Sequence, residues 1–118
     1  LIARCTALGI PIISAMGSGN KLDPTAFEVT DISKTQGCPL ARVMRKELRR
    51  RGILHLKVVY SREEPLSPAQ LIEAEAPAGE GTRPGSSARR ATPGSISFVP
   101  AAAGLVLAGA VIRDLGGF

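Results

Sequence analysis

Gly17-Ser-Gly-Asn-Lys-Leu-Asp23 gathers Gly17, Gly19, Asn20, Lys21 and Asp23 into one short turn. It follows the apolar run Ile10–Met16, which reads as a buried strand. In open parallel sheets, ligands sit at the carboxyl ends of strands, where this turn would lie. The spacing is not a dinucleotide fingerprint: the third glycine is missing, and Asp23-Pro24 follows instead of a helix. A phosphate-binding P-loop sequence is absent as well. From the residues alone the segment is a tight turn, and Asp23 and Asp31 are either ligands or ordinary turn and surface residues.

The second cluster is basic. Arg42, Arg45, Lys46, Arg49 and Arg50 fall on one side of a helical repeat, and Lys57 follows in a strand. From Cys38 to Lys57 there are seven Lys/Arg against the single acid Glu47, a denser excess than the net +5 of the whole chain. Such a face is either ordinary solvated charge or a surface for phosphates and nucleic acid.

Other reactive side chains offer less. His55 is the only histidine and sits on the polar side of a strand pattern, the place of a surface residue. Cys5 and Cys38 lie far apart, without metal spacing or a pairing framework. A helix following Cys38 would favour its thiolate, but Pro39 removes a backbone donor there and no histidine is near in sequence, so capping or packing is the expected role. No serine, histidine and acid stand in a known catalytic order. No catalytic residue and no metal ligand is assigned.

The elements that must position these groups can be read in order. Leu1–Leu8 looks like the last turns of an amphipathic helix capped by Gly9, as of a chain that begins inside a larger fold. Ile10–Met16 is expected to be a strand covered on both faces, and Phe27–Ile32 a strand with one wet face. Pro39 and Gly52 bracket a helix whose apolar side is Leu40, Val43, Met44 and Leu48. Ile53–Ser61 alternates as a third strand. Residues 62–93 carry five prolines and read as a long flexible loop, with one turn of helix at Leu71–Glu75 and basic Arg89 and Arg90 at its end. Ser95–Phe98 reads as a short strand. The apolar run Val99–Ile112 reads as a helix buried against the sheet, with Gly104, Ala108 and Gly109 allowing close approach. At this length it is short for a span of about 20 residues, so no membrane role is expected, with a re-entrant or membrane helix as the alternative. With 118 residues, 44% hydrophobic and 3% aromatic, the chain suits one small α/β domain and not a disordered one.

Three segments together carry a resemblance. They are GIPIISAMGSGNKLDPTAFEVTDISKTQGCPLARVMRKELRRRG, LKVVYSREEP and GSISFVPAAAGLVLAGAVIRDL. They resemble the carboxyl-terminal half of the ThiF/HesA/MoeB superfamily of ubiquitin-activating-type adenylating enzymes, in its tRNA threonylcarbamoyladenosine dehydratase branch. The resemblance implies an incomplete Rossmann-like domain over 1–118: the carboxyl-terminal half of the sheet, flanking helices, and 62–93 as a crossover loop. It implies a parent that uses ATP and Mg2+ to activate the threonyl carboxylate of a modified tRNA adenosine, which then cyclises with loss of water. The ATP loop, the basic ATP contacts and the magnesium aspartate of such enzymes lie in the other half. The isolated piece is therefore expected to be inactive, with no cofactor bound.

On the same resemblance, Gly17, Gly19, Asn20, Lys21 and Asp23 would edge the nucleotide site, and the basic face would position tRNA. A cytoplasmic homodimer is the implied parent. The Cys-x-x-Cys pairs of sulfur-carrier activators and a crossover cysteine are both absent, which favours the tRNA branch. Activation of a ubiquitin-like sulfur carrier, with a partner from a cysteine-desulfurase system, is the alternative. A non-enzymatic RNA-binding module is the third reading.

Overall fold

Val58, Val59, Tyr60 and Ser61 are all buried, so the strand that holds them must be covered on both faces. This strand, β3 (Lys57–Ser61), is the middle of a three-stranded sheet. On one side it pairs in parallel with β1 (Ile13–Ala15), with Ile13 opposite Lys57. On the other it pairs antiparallel with β2 (Phe27–Asp31), with Val29 opposite Val59. The structure is a computed structural model, and it describes residues 1–67 and 96–117.

Each face of β3 has its own cover. Val58 and Tyr60 join Met16, Ile32, Cys38, Ala41, Leu48 and Leu56 in one core cluster under α2 (Pro39–Arg50). Ile2 of α1 (Ile2–Ala7) packs against the same cluster. Val59 points the other way, as strand alternation requires, towards α3 (Phe98–Gly116). Helix α3 lies across all three strands. Helix, sheet and helix therefore form the mixed α/β arrangement expected from the sequence.

The helix boundaries follow local chemistry. Pro39 occupies the first position of α2, where its missing N–H costs no helical bond. Gly52 ends the helix at φ 75°, with Gly52 N–H donating to Arg49 O and Ile53 N–H to Leu48 O. This pair of bonds is a Schellman cap, and the half-buried Ile53 packs on the core beside Leu48. Gly9 closes α1 in the same manner, with Ile10 N–H on Cys5 O. Between β2 and α2, Asp31 caps a single 3-10 turn (Ile32–Lys34) by accepting from Ser33 N–H at 2.9 Å.

Several sequence expectations are corrected. Ile10–Met16 is not the doubly covered strand: only Ile13–Ala15 pairs, its residues are half-buried or exposed, and Ile10 is exposed. An apolar run reveals burial potential but not which strand obtains neighbours on both sides. Residues 53–56 do not extend β3; Leu54 is exposed, while Leu56 packs in the core. The strand expected at Ser95–Phe98 is absent over its described residues, because Phe98 already opens α3. Pro100 falls in the first turn, where helices tolerate it, so the helix starts before the proline.

Helix α2 is rotated relative to the apolar side read from the sequence. Ala41, Met44, Arg45 and Leu48 face inward, while Leu40 and Val43 are exposed, Val43 by 56%. On α3 the contact stripe is Val99, Ala103, Val106 and Ala110; Gly104 faces open space. The outer side keeps Leu105, Ile112 and Leu115 exposed, so the expected burial holds for one stripe only. By length and composition alone α3 could cross a membrane, although it packs on the sheet here. Loop residues beyond Ser67, including Leu71–Glu75, Arg89 and Arg90, lie outside the described residues.

Two stability tests follow from the caps. A Cβ on Gly52 would meet no atom within 4 Å, so Gly52→Ala carries only the left-handed backbone cost. That cost is about 1 kcal/mol, read as a lower denaturant midpoint at unchanged slope. Burial acts to raise the pKa of Asp31, but hydrogen bonds from Ser33 and the neighbouring His55 outweigh it and hold the carboxyl below its usual value. A depressed pKa gives stability that is present above the unfolded value near 3.8 and lost as pH falls through the folded value. Thermal unfolding of Asp31→Asn should therefore depend less on pH below about pH 4 than the parent does.

Candidate functional site

Residues 17–23 leave the carboxyl end of β1 and lie beside the carboxyl end of β3. Met16 N–H continues the ladder onto Val59 O at 2.8 Å, and the chain then turns away at Gly17. The turn therefore sits at the strand ends, where parallel sheets bind ligands. Its left-handed residue is Asn20, at φ 59°, a conformation asparagine tolerates better than most side chains.

Lys21 is only 2% exposed. Its Nζ donates to Ser61 O at 3.3 Å, so the lysine is drawn down onto the end of β3. Asp23 is exposed and accepts from Thr25 N–H at 2.8 Å and Thr25 Oγ1 at 2.6 Å. Those bonds hold its carboxyl below the ordinary carboxylate pKa. Asp23 thus acts as a turn cap in this structure.

A residue not singled out in the sequence holds the turn from the other side. Glu63, just beyond β3, accepts Leu22 N–H on Oε1 and Asp23 N–H on Oε2, each at 2.8 Å. Glu63 N–H donates to Ser61 Oγ at 3.1 Å, and Leu66 N–H to Asn20 O at 2.7 Å. No local pattern marks a carboxylate that reaches back forty residues, which is why sequence reasoning passed over it.

The basic residues separate into two groups. Arg42, Lys46, Arg49 and Arg50 are exposed on the outer side of α2. Arg50 pairs with Glu47 at 3.4 Å across one helical turn, and the other three have no ion pair among the described residues. A shallow cleft of ≈ 600 Å³ runs along the start of the helix, lined by Arg42 and Lys46 and floored in part by Cys38 and Val43.

Lys57 does not join this surface, and Arg45, although it also lines the cleft, has its guanidinium tied to Thr35. The stem of Arg45 is part-buried, and its guanidinium donates to Thr35 O at 2.8 Å and also to Thr35 Oγ1. Lys57 lies on the α3 side of the sheet and pairs with Asp114 at 2.6 Å. Both cations staple elements together.

Cys38 is 4% exposed and belongs to the core cluster, in keeping with a packing role. His55 is exposed beside Asp31, with Nδ1 to Oδ1 at 3.3 Å. A second cleft, ≈ 470 Å³ and polar, is lined by Glu28, Lys34, Tyr60, Arg62 and Glu64. Burial and the Glu28 carboxylate push the Tyr60 phenol above its ordinary pKa. Among the described residues no group of three or more His, Cys, Asp or Glu could hold a metal ion.

No protein-family model matches the chain. Individual proteins do. A tRNA threonylcarbamoyladenosine dehydratase of Bacillus subtilis (strain 168) is 40% identical over 118 residues, which is 98% of this chain and 44% of that protein. Two crystal structures of the Escherichia coli enzyme TcdA, one with AMP and one with ATP, superpose with a TM-score of 0.73 and 26% identity. They cover 99% of this chain, which in turn covers 43% and 42% of theirs. The chain thus spans less than half the length of the relatives it matches. Taken together, in sequence and in fold the chain is similar to part of these tRNA threonylcarbamoyladenosine dehydratases.

Proposed function

We infer that this chain is the carboxyl-terminal half of an adenylating domain in an ATP-dependent tRNA threonylcarbamoyladenosine dehydratase. The observation that carries the reading is the match in both sequence and fold over nearly the whole chain. The parent is read as a cytoplasmic homodimer that uses ATP with Mg2+, as the family resemblance implies. When bound, ATP would supply the activated leaving group that turns a carboxylate into an acyl-adenylate.

This chain's own residues serve as a wall beside that chemistry. The amides of Leu22 and Asp23 are already taken by Glu63, and the Lys21 ammonium is turned onto Ser61 O. The turn therefore has no pair of open amides for a phosphate at 22 and 23. It suits an edge that shapes the nucleotide site rather than a cradle that grips phosphates. Gly17, Gly19, Asn20, Lys21 and Asp23 are assigned that edge.

Arg42, Lys46 and Arg49 are assigned to the tRNA backbone. Phosphate contacts fix the register of a nucleic acid without reading sequence, and exposed guanidinium groups suit that task. With 3% aromatic residues in the chain, few rings are available to stack on bases. The absence of Cys-x-x-Cys pairs makes a sulfur-carrier substrate the less favoured reading.

The test is made on the natural-length protein. With ATP, Mg2+ and tRNA carrying threonylcarbamoyladenosine, the nucleoside should lose one water by mass. Failure to convert it, with an adenylated sulfur-carrier terminus formed instead, would establish the alternative. Arg42→Glu combined with Arg49→Glu should weaken tRNA binding and lower the salt slope by about 2. An unchanged slope would remove the helix from the tRNA surface.

A further inference from the structure

Three hydrogen bonds tie the segment that leaves β3 to the turn that leaves β1. Glu63 contributes two of them through its carboxylate, which accepts from Leu22 and Asp23 N–H, while its own N–H donates to Ser61 Oγ at the end of β3. Leu66 N–H on Asn20 O is the third. Lys21 Nζ on Ser61 O adds a contact from the turn to the strand. A carboxylate that accepts two successive backbone amides forms charge-assisted bonds, which are shorter and stronger than neutral ones. Both bonds here are 2.8 Å, and Glu63 is itself half-buried.

We propose that Glu63 is a positioning residue for the nucleotide site, holding the 17–23 edge at the height set by β3. The proposal rests on the reading of that turn as the nucleotide edge. Glu63 touches neither substrate nor reacting atoms in this assignment; it acts through Leu22 and Asp23. The segment that opens the crossover and the nucleotide edge then move as one body, because neither can shift without breaking the carboxylate bridge. Small displacements at an aligned site have large kinetic and binding effects, since misplacement by about 1 Å can cost about a hundredfold.

The experiment uses the natural-length protein with Glu63→Ala and Glu63→Gln, read by amide hydrogen exchange, ATP titration calorimetry and thermal unfolding. In Glu63→Ala, exchange at Leu22 and Asp23 should speed at least about tenfold, as for amides released from a local lock. The Kd for ATP should rise by about fivefold or more while Tm moves only a few degrees. Glu63→Gln keeps one acceptor oxygen and should fall between the parent and the alanine variant in both readouts. It also stands in if the alanine variant does not fold.

Unchanged exchange at both amides would overturn the clamp. Faster exchange with an unchanged Kd for ATP would overturn the positioning role. Absence of ATP binding by the unaltered protein would instead refute the nucleotide-edge reading, while the exchange result would still judge the clamp.

Discussion

A strand buried on both faces forces most of what surrounds it. Val58 and Tyr60 require an apolar cover on one side of β3, and Val59 requires another on the opposite side. Fully burying a valine is worth roughly 1.5–3 kcal/mol, so losing either cover would be costly. Polar groups on the same strand must then find partners, because an unpaired buried group costs about 1–3 kcal/mol. Ser61 is fully buried, and both its hydroxyl and its carbonyl are bonded, by Glu63 and Lys21. The architecture of the turn is in this sense a by-product of satisfying the end of β3.

The basic helix shows how one sequence pattern can divide into two physical roles. Arg45 falls on the inward side of α2, so its stem packs and its guanidinium satisfies Thr35, itself buried. Arg42, Lys46 and Arg49 fall outside that arc and remain hydrated. Charge counted along the sequence does not distinguish these cases. The difference comes from a modest rotation of the helix, set by Ala41 and Leu48 seating on the sheet. Exposed like-charged side chains held by one rigid helix make a surface that attracts polyanions at low salt and loses them as salt rises.

Much of the framework is legible in the amino-acid sequence. Pro39, Gly52 and Gly9 mark helix ends because their backbone preferences are local and strong. The three paired strands, the helices between and after them, and the turn at the strand ends follow from hydrophobic periodicity and from the segment resemblance. What stays hidden depends on partners distant in sequence. The burial of β3 rather than β1 is decided by which strand lies in the middle. The phase of α2 is decided by Ala41, whose small side chain gives little signal yet is fully buried. The roles of Glu63 and Lys57 are long-range bonds, to Leu22 and Asp23 in one case and Asp114 in the other.

Helix α3 carries two kinds of position. Val99, Ala103 and Ala110 face the sheet, and there any added volume must displace the helix or a strand. Leu105, Ile112 and Leu115 face outward, with nothing among the described residues to limit their size. The helix is thus a convenient attachment rail. A fluorophore or spin label placed at Leu105 would report on its surroundings without disturbing the sheet, whereas the same probe at Ala103 would report mainly on the damage it caused.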